Sequence, residues 1–255
     1  MFSVKKVILY LLFLINTCFS QDLHLRGVGT TYSQTGKVSK KWNYNLNVTS
    51  VYNAYNQTIG EKTFPSGHVH FVPHLGFIRK MNDNVNAGFG YGFGRHDIFG
   101  LRENEHRLFV QSTYSKKYPQ FSVSQRGRFE YRSPLNLKTN IRSDAAIGRY
   151  QLSAVFPFYD TKTSKKGFYA SASNEIFFYV KGATNGPVSS KNGSLLSENW
   201  SNIGLGYTNK KNRFELGYGF QALVRNKAQD MRFINLCTLS YSTTINWDDV
   251  QFWFY

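Results

Sequence analysis

Polar and apolar residues alternate along most of this chain, as in Val85-Asn86-Ala87-Gly88-Phe89-Gly90-Tyr91-Gly92-Phe93 and Arg213-Phe214-Glu215-Leu216-Gly217-Tyr218-Gly219-Phe220. Successive side chains of a β-strand point to opposite faces, so each such stretch has one greasy wall and one wet wall. The pattern predicts up to twelve strands, near residues 22–34, 42–55, 68–80, 85–98, 105–115, 121–132, 141–156, 167–180, 199–209, 213–225, 231–244 and 250–255. The connections near 35–41, 81–84, 116–120, 159–166 and 210–212 are tight, whereas those near 56–67, 133–140 and 181–198 are longer. Outer-membrane barrels alternate in this way, with short periplasmic turns and longer outer loops. Strand parity then conflicts with turn length, because tight periplasmic turns would start the first strand on the outer side.

The first twenty residues change the picture from strands to an exported strand protein. Lys5 and Lys6 precede an apolar run from Val7 to Ile15, and Cys18-Phe19-Ser20 offers small residues for cleavage before Gln21. The run is shorter than the roughly 20 residues of a spanning helix, and Asn16-Thr17 before Cys18 makes no lipoprotein acceptor. The expected organisation is a signal peptide over 1–20 and one domain over 21–255, with no Pro-rich or Ser-rich linker. Cys237 would then be the remaining cysteine, which leaves no internal disulfide. Strands with one apolar wall behind an export signal are best satisfied by closure. The expected fold is all-β, a single closed antiparallel transmembrane β-barrel of about 10–12 strands, with lipid outside and polar residues inside. Phe252, Trp253, Phe254 and Tyr255 end the chain as an aromatic strand, resembling the signal by which barrel-assembly machinery recognises its clients.

Charge adds a constraint on partners. The net charge is +16, from 31 Lys and Arg against 15 Asp and Glu. No nucleic-acid-binding motif accompanies it, and an exported protein does not meet nucleic acid. Lysines gather in the turns, at Lys37, Lys40 and Lys41, at Lys116 and Lys117, at Lys162, Lys165 and Lys166, and at Lys210 and Lys211. Turns exposed to solvent account for them, as would contact with anionic headgroups or lipopolysaccharide phosphate at a barrel rim.

Tracing the polar face fills the proposed lumen. Arg126, Arg128, Glu130 and Arg132 share one face of their strand, opposite Phe129 and Tyr131. An arginine facing lipid near the midplane costs roughly 2–4 kcal/mol, so this face turns inward. The same argument turns Arg107 and Gln111, Arg142 and Asp144, Glu175, and Arg213, Glu215, Gln221 and Arg225 inward, a mixed network with arginine in excess. Two meanings remain open: ion pairs that fill the barrel, or a narrow water-filled pore that prefers anions.

Catalytic chemistry is mostly missing. Some outer-membrane barrels hydrolyse phospholipid or lipid A acyl chains with a serine and a histidine on the outer wall, and such a nucleophile needs a base in reach and an orienting third group. His24, His68, His70, His74, His96 and His106 form no His-x-Ser arrangement, and no Gly-x-Ser-x-Gly elbow occurs. His68 and His70 share a predicted strand face, but Pro73 separates them from His74, and no metal or other cofactor is expected. Gly88-x-Gly90-x-Gly92-x-Gly94 lies inside a strand pattern rather than before a helix, so it is not read as a phosphate loop.

The stretches Glu105-His106-Arg107-Leu108-Phe109-Val110-Gln111 and Arg126-x-Arg128-x-Glu130-x-Arg132 resemble the central signature of an uncharacterised outer-membrane barrel family, domain of unknown function 2490. Arg149-Tyr150, Glu175-Ile176-Phe177, Glu215-Leu216-Gly217-Tyr218 with Gln221, and Asn235 with Leu239 and Tyr241 are similar in order. Asn199-Trp200, where Asn-Arg is expected, and the long tail after Tyr241 depart from it. The resemblance implies an outer-membrane barrel of a Gram-negative bacterium and supplies no catalytic residue. The expectation is a non-enzymatic barrel, structural or accessory, or a narrow anion-preferring pore. Its partners would be outer-membrane lipid and lipopolysaccharide, the assembly machinery during biogenesis, and an accessory protein. A lipid hydrolase of the phospholipase or lipid A deacylase type is the alternative, followed by a soluble periplasmic β-sandwich that binds a ligand.

Overall fold

A computed structural model describes residues 23–59, 62–98, 101–182, 196–225 and 230–246. The expected signal segment and the terminal strand ending in Phe252, Trp253, Phe254 and Tyr255 lie outside these residues. The strands are β1 (Leu23–Lys37), β2 (Trp42–Asn53), β3 (Gln57–Ile59), β4 (Lys62–Phe64), β5 (Gly67–Lys80), β6 (Val85–Ile98) and β7 (Leu101–Lys117). They continue as β8 (Ser122–Asn136), β9 (Ile141–Arg142), β10 (Ala145–Pro157), β11 (Lys166–Gly182), β12 (Leu196–Asn209), β13 (Asn212–Arg225) and β14 (Asp230–Thr244). Among the described residues there is no helix long and apolar enough to cross a membrane.

The sheet closes on itself. Neighbouring long strands pair antiparallel from β1 through β2, β5, β6, β7, β8, β10, β11, β12 and β13 to β14, and β14 returns to β1. Closure makes an eleven-stranded barrel, while β3 and β4 form a small separate hairpin and β9 extends the edge of β8. With an odd number of strands the first and last run the same way, so β1 pairs β14 in parallel from Leu23↔Arg232 to Thr35↔Thr244. Closure leaves no open strand edge in this seam, which is the general reason for barrels.

The turns sort by end. Residues 38–41, 81–84, 118–121, 158–165 and 210–211 connect strands at one end, called here the tight-turn end. At the two-residue turn Lys210 takes the left-handed conformation (φ 54°) that such a hairpin requires. The opposite end carries the connection holding β3 and β4 and the segment 137–144. Chain entry at Leu23 lies at this opposite end and Thr244 at the tight-turn end, so the mismatch between parity and turn length is present in the fold itself.

Alternation decides which wall each side chain joins. Leu108, Val110, Leu205 and Leu216 are more than half exposed on the outside, and Phe89, Phe129, Phe168 and Phe214 join them. Arg107, Glu130, Arg132, Arg149 and Glu175 are buried inside. The arrangement inverts that of a water-soluble sheet protein, which rarely exposes contiguous apolar patches above a few hundred Å².

The glycine row of β6 finds its explanation in close packing rather than in phosphate binding. A Cβ on Gly90 would stand 2.4 Å from the Phe109 ring, and one on Gly92 would stand 2.3 Å from the His74 ring. Gly90→Val should therefore displace Phe109 and lower stability by about 1–3 kcal/mol, read as a lower urea midpoint for the purified barrel; an unchanged midpoint would show that Phe109 repacks freely.

Candidate functional site

Eleven strands enclose more space than the eight-stranded barrels that side chains just fill, so what occupies the lumen decides what the barrel can do. The half nearest the connection 137–144 is filled from two sides. From β7, β8, β10 and β11 comes a charged network. The Glu130 carboxylate accepts from Arg132 Nε at 2.7 Å, Arg149 Nη1 at 2.7 Å and Arg128 Nη1 at 3.3 Å. Glu175 takes a two-pronged contact from Arg149, Nε to Oε1 at 2.9 Å and Nη2 to Oε2 at 2.8 Å, and a third bond from Arg126 Nη2 at 2.8 Å. Glu105 accepts from Arg107 Nη2 at 2.8 Å and lies 2.9 Å from His96 Nε2, while His96 and His70 approach through their Nδ1 atoms at 2.9 Å.

Rings brace the guanidinium groups. Arg128 lies 4.2 Å over the Phe109 ring and Arg149 4.3 Å over Phe177, contacts that favour a cation on an aromatic face. Gln111 fixes Arg128 from the side, accepting from Nε at 2.9 Å and Nη2 at 2.6 Å. Facing this network across the lumen, Leu25, Val51, Val69, Leu223, Ile234 and Leu236 form an apolar cluster from β1, β2, β5, β13 and β14. A cavity of only about 50 Å³ separates the two, lined by Val69, Leu223 and Ile234 on one side and His70, His96, Arg107 and Arg132 on the other.

The other half holds a polar basin of about 360 Å³. Arg126, Arg128, Gln151 and Glu175 line one wall, His74 and Gln111 lie between, and Thr31, Ser33, Asn45, Asn47 and Thr49 line the far wall. Nearer the tight turns, Arg213 lies 4.3 Å over the Tyr169 ring, and Gly204 leaves room for Glu215, whose side chain a Cβ there would strike. A second cavity of about 510 Å³ reaches the rim past Lys117, Lys165, Lys210 and Arg213.

The predicted lumen residues divide accordingly. The structure brings Arg107, Gln111, Arg126, Arg128, Glu130, Arg132 and Glu175 together through the bonds above and places Gln221 at the basin wall. Arg142 and Asp144 are a correction: both are exposed outside the lumen, where Ser133 bonds to each. Residues 143–144 are not in a strand, and β10 starts at Ala145, which turns Ile147 and Arg149 inward and the even-numbered positions out. The phase extrapolated from Arg142 is therefore off by one. The Arg225 side chain lies outside the described residues.

Arg149, Glu105, Glu103 and Glu198 were missed as lumen residues, and all are buried. Glu103 and Glu105 share the parity of Arg107; Glu105 already lies in the strand predicted over 105–115 and follows from that parity, whereas Glu103 needs a β7 begun earlier. With them the network is close to balanced, not rich in surplus arginine. The histidines need correcting too. A β-bulge in β5, where Val51 faces His70 and Tyr52 faces His68, inserts Val69 as an extra residue. His68 consequently points outward and bonds Ser50 Oγ at 2.8 Å, while His70 points inward. Among the described residues no group of three or more potential metal ligands forms.

Strand direction also gathers charge that sequence order scatters. Lys37, Lys40, Lys41, Lys80, Lys116, Lys117, Lys162, Lys165, Lys166, Lys210 and Lys211 are all exposed and all at the tight-turn end. The acids in those turns are Asp83, paired with Lys80 at 2.7 Å, and Asp160.

A family model described as "Protein of unknown function (DUF2490)" matches residues 27–232, which covers every residue of the charged network. No curated protein matches the sequence.

Removing one partner of a buried ion pair strands the other charge and costs about 3–5 kcal/mol. Glu130→Ala should lower the unfolding stability of the purified barrel by that amount, because Arg132 and Arg149 lose their shared acceptor; Asp83→Ala, which breaks only the exposed turn pair, should leave the urea midpoint in place. Equal midpoints for the two variants would count against the network as a stabilising element.

Proposed function

The chain belongs to this family of unknown function, and from that premise we propose that it is a non-enzymatic β-barrel of a Gram-negative outer membrane, a structural or accessory component that does not conduct. The observation that carries the reading is the inverted wall: large apolar side chains outside and paired charges inside. An Arg-Glu network cannot face hydrocarbon without several kcal/mol of penalty per charge, and an apolar outer wall of this extent has lipid as its natural solvent. The filled half of the lumen favours the structural role over the anion-preferring pore, since the charged network and the apolar cluster meet across it with only a small cavity between. The same inversion speaks against a soluble β-sandwich, whose outer faces would be polar.

In this reading outer-membrane lipid and lipopolysaccharide surround the wall, the assembly machinery inserts the barrel, and a further protein partner completes its task. Expressed from Met1 in a Gram-negative host, the protein should fractionate with the outer membrane and migrate faster on unheated than on heated gels. In planar bilayers it should give no steps of conductance at any voltage. Recovery in the soluble fraction without detergent would defeat the membrane assignment, and steady single-channel currents would defeat the closed lumen.

A second reading, acyl hydrolysis at the outer wall, has one observation in its favour: Ser50 Oγ and His68 Nε2 are hydrogen-bonded on the lipid-facing side. The orienting third group is missing, for among the described residues the Ser50 hydroxyl is the sole hydrogen-bond partner of His68. A fluorophosphonate probe should leave Ser50 unlabelled; labelling abolished by Ser50→Ala would reinstate the hydrolase.

A further inference from the structure

The basin has two chemically different walls, and the structure leaves the cationic wall with bonding capacity to spare. Arg126 spends Nη2 on Glu175, yet its Nε is buried without a hydrogen-bond partner, and nearly a quarter of its side chain remains accessible. Between the walls, beside Gly92, His74 Nε2 is also unpartnered. Arg126, Arg128 and Arg149 meet only two carboxylates there, Glu130 and Glu175, so the wall keeps a positive excess. The opposite wall carries no charge: hydroxyls and amides of Thr31, Ser33, Asn45, Asn47 and Thr49 stand there beside apolar side chains such as Val72 and Ile78.

Each half of this arrangement selects a part of a ligand. A guanidinium is the preferred partner of carboxylate and phosphate, whereas a row of hydroxyls and amides matches a molecule bearing several hydroxyls. The volume, about 360 Å³, lies in the range of small-molecule sites and suits a single sugar rather than an oligosaccharide. Independent of these side chains, the lysine collar stands at the end toward which the basin lies. A collar of one sign raises the local concentration of counter-charged solutes and speeds their entry.

We propose that the basin is a binding site for a small anionic polyol, a sugar phosphate or sugar acid, which enters past the lysine collar and docks its anionic group on Arg126. The site rests on the filled half of the lumen that supports the closed-barrel reading, because that filling makes the basin blind, a place to hold a solute rather than pass it. It does not depend on the membrane assignment, and binding is measured in detergent where conductance plays no part.

The test is isothermal titration calorimetry of the purified full chain in detergent with glucose 6-phosphate, glucuronate, glucose and inorganic phosphate. Both anionic sugars should bind, more tightly than either glucose or phosphate alone, and their affinity should fall as salt is raised from 50 to 500 mM, as roughly expected for screened charges. Arg126→Gln should weaken the anionic sugars about ten- to hundredfold, the range expected for one charged hydrogen bond. Asn47→Phe, which fills the neutral wall and leaves the ion pairs intact, should abolish binding while unheated gel mobility stays that of the folded barrel, so the proposal stays falsifiable should Arg126→Gln misfold. Absence of heat with both anionic sugars overturns the site. Glucose binding as well as its phosphate removes the role of Arg126, and phosphate binding as well as the sugar phosphate removes the role of the neutral wall. Conductance through a lumen that still binds these sugars would leave the site standing and overturn only its blindness.

Discussion

The carboxylate of Glu130 sits where the barrel could least bear a lone charge, and the rest of the interior is organised around that fact. It is fully buried and shared by Arg132, Arg149 and Arg128. Arg149 passes the constraint on to Glu175, and Arg132 lies 3.5 Å from Glu105. Four strands are thereby tied through their side chains as well as through their backbone ladders. Buried ion pairs are a poor source of net stability, since desolvation offsets much of the attraction. Their effect here is one of arrangement: each strand must hold its register for the neighbouring charges to be met.

A closed sheet with this interior sends most of its large apolar residues outward, while Leu25, Val51, Val69, Leu223, Ile234 and Leu236 gather inside, opposite the charges. Alternation makes the outer wall largely apolar, the surface that the proposed membrane reading places in lipid. The inner and outer faces are thus two consequences of a single periodicity. Aromatic braces such as Phe109 under Arg128 and Phe177 under Arg149 also turn inward, where each offers a cation its ring face. Gly90 of β6 makes the first of these possible by vacating the volume that the Phe109 ring occupies.

Much of the architecture was legible along the chain, because a period of two survives without knowledge of neighbours. The positions of the long strands, the inward phase of Arg107, Arg126, Arg128, Glu130, Arg132 and Glu175, and the family resemblance all rest on local pattern. What failed did so where the period slips. At Asp144 the strand had not yet begun, and the phase carried through it put Arg142 on the wrong side. At Val69 one inserted residue separated His68 from His70 and created an outward Ser50 contact that no spacing rule foresees. Glu198 was invisible for a different reason: its strand was begun one residue too late, and its burial depends on what faces it across the lumen.

By itself the sequence determined strands with one wet and one greasy face, because side-chain direction in an extended chain is a local property. It determined as well that arginine and glutamate share the wet face. Only the tertiary structure decided that an odd number of strands closes through a parallel seam, and that the network fills one half of the lumen and leaves a basin in the other. It alone gathered turns distant in sequence into a single lysine collar. Such features follow from which strands become neighbours and which end each turn reaches, quantities set by closure of the whole sheet and encoded in no single segment.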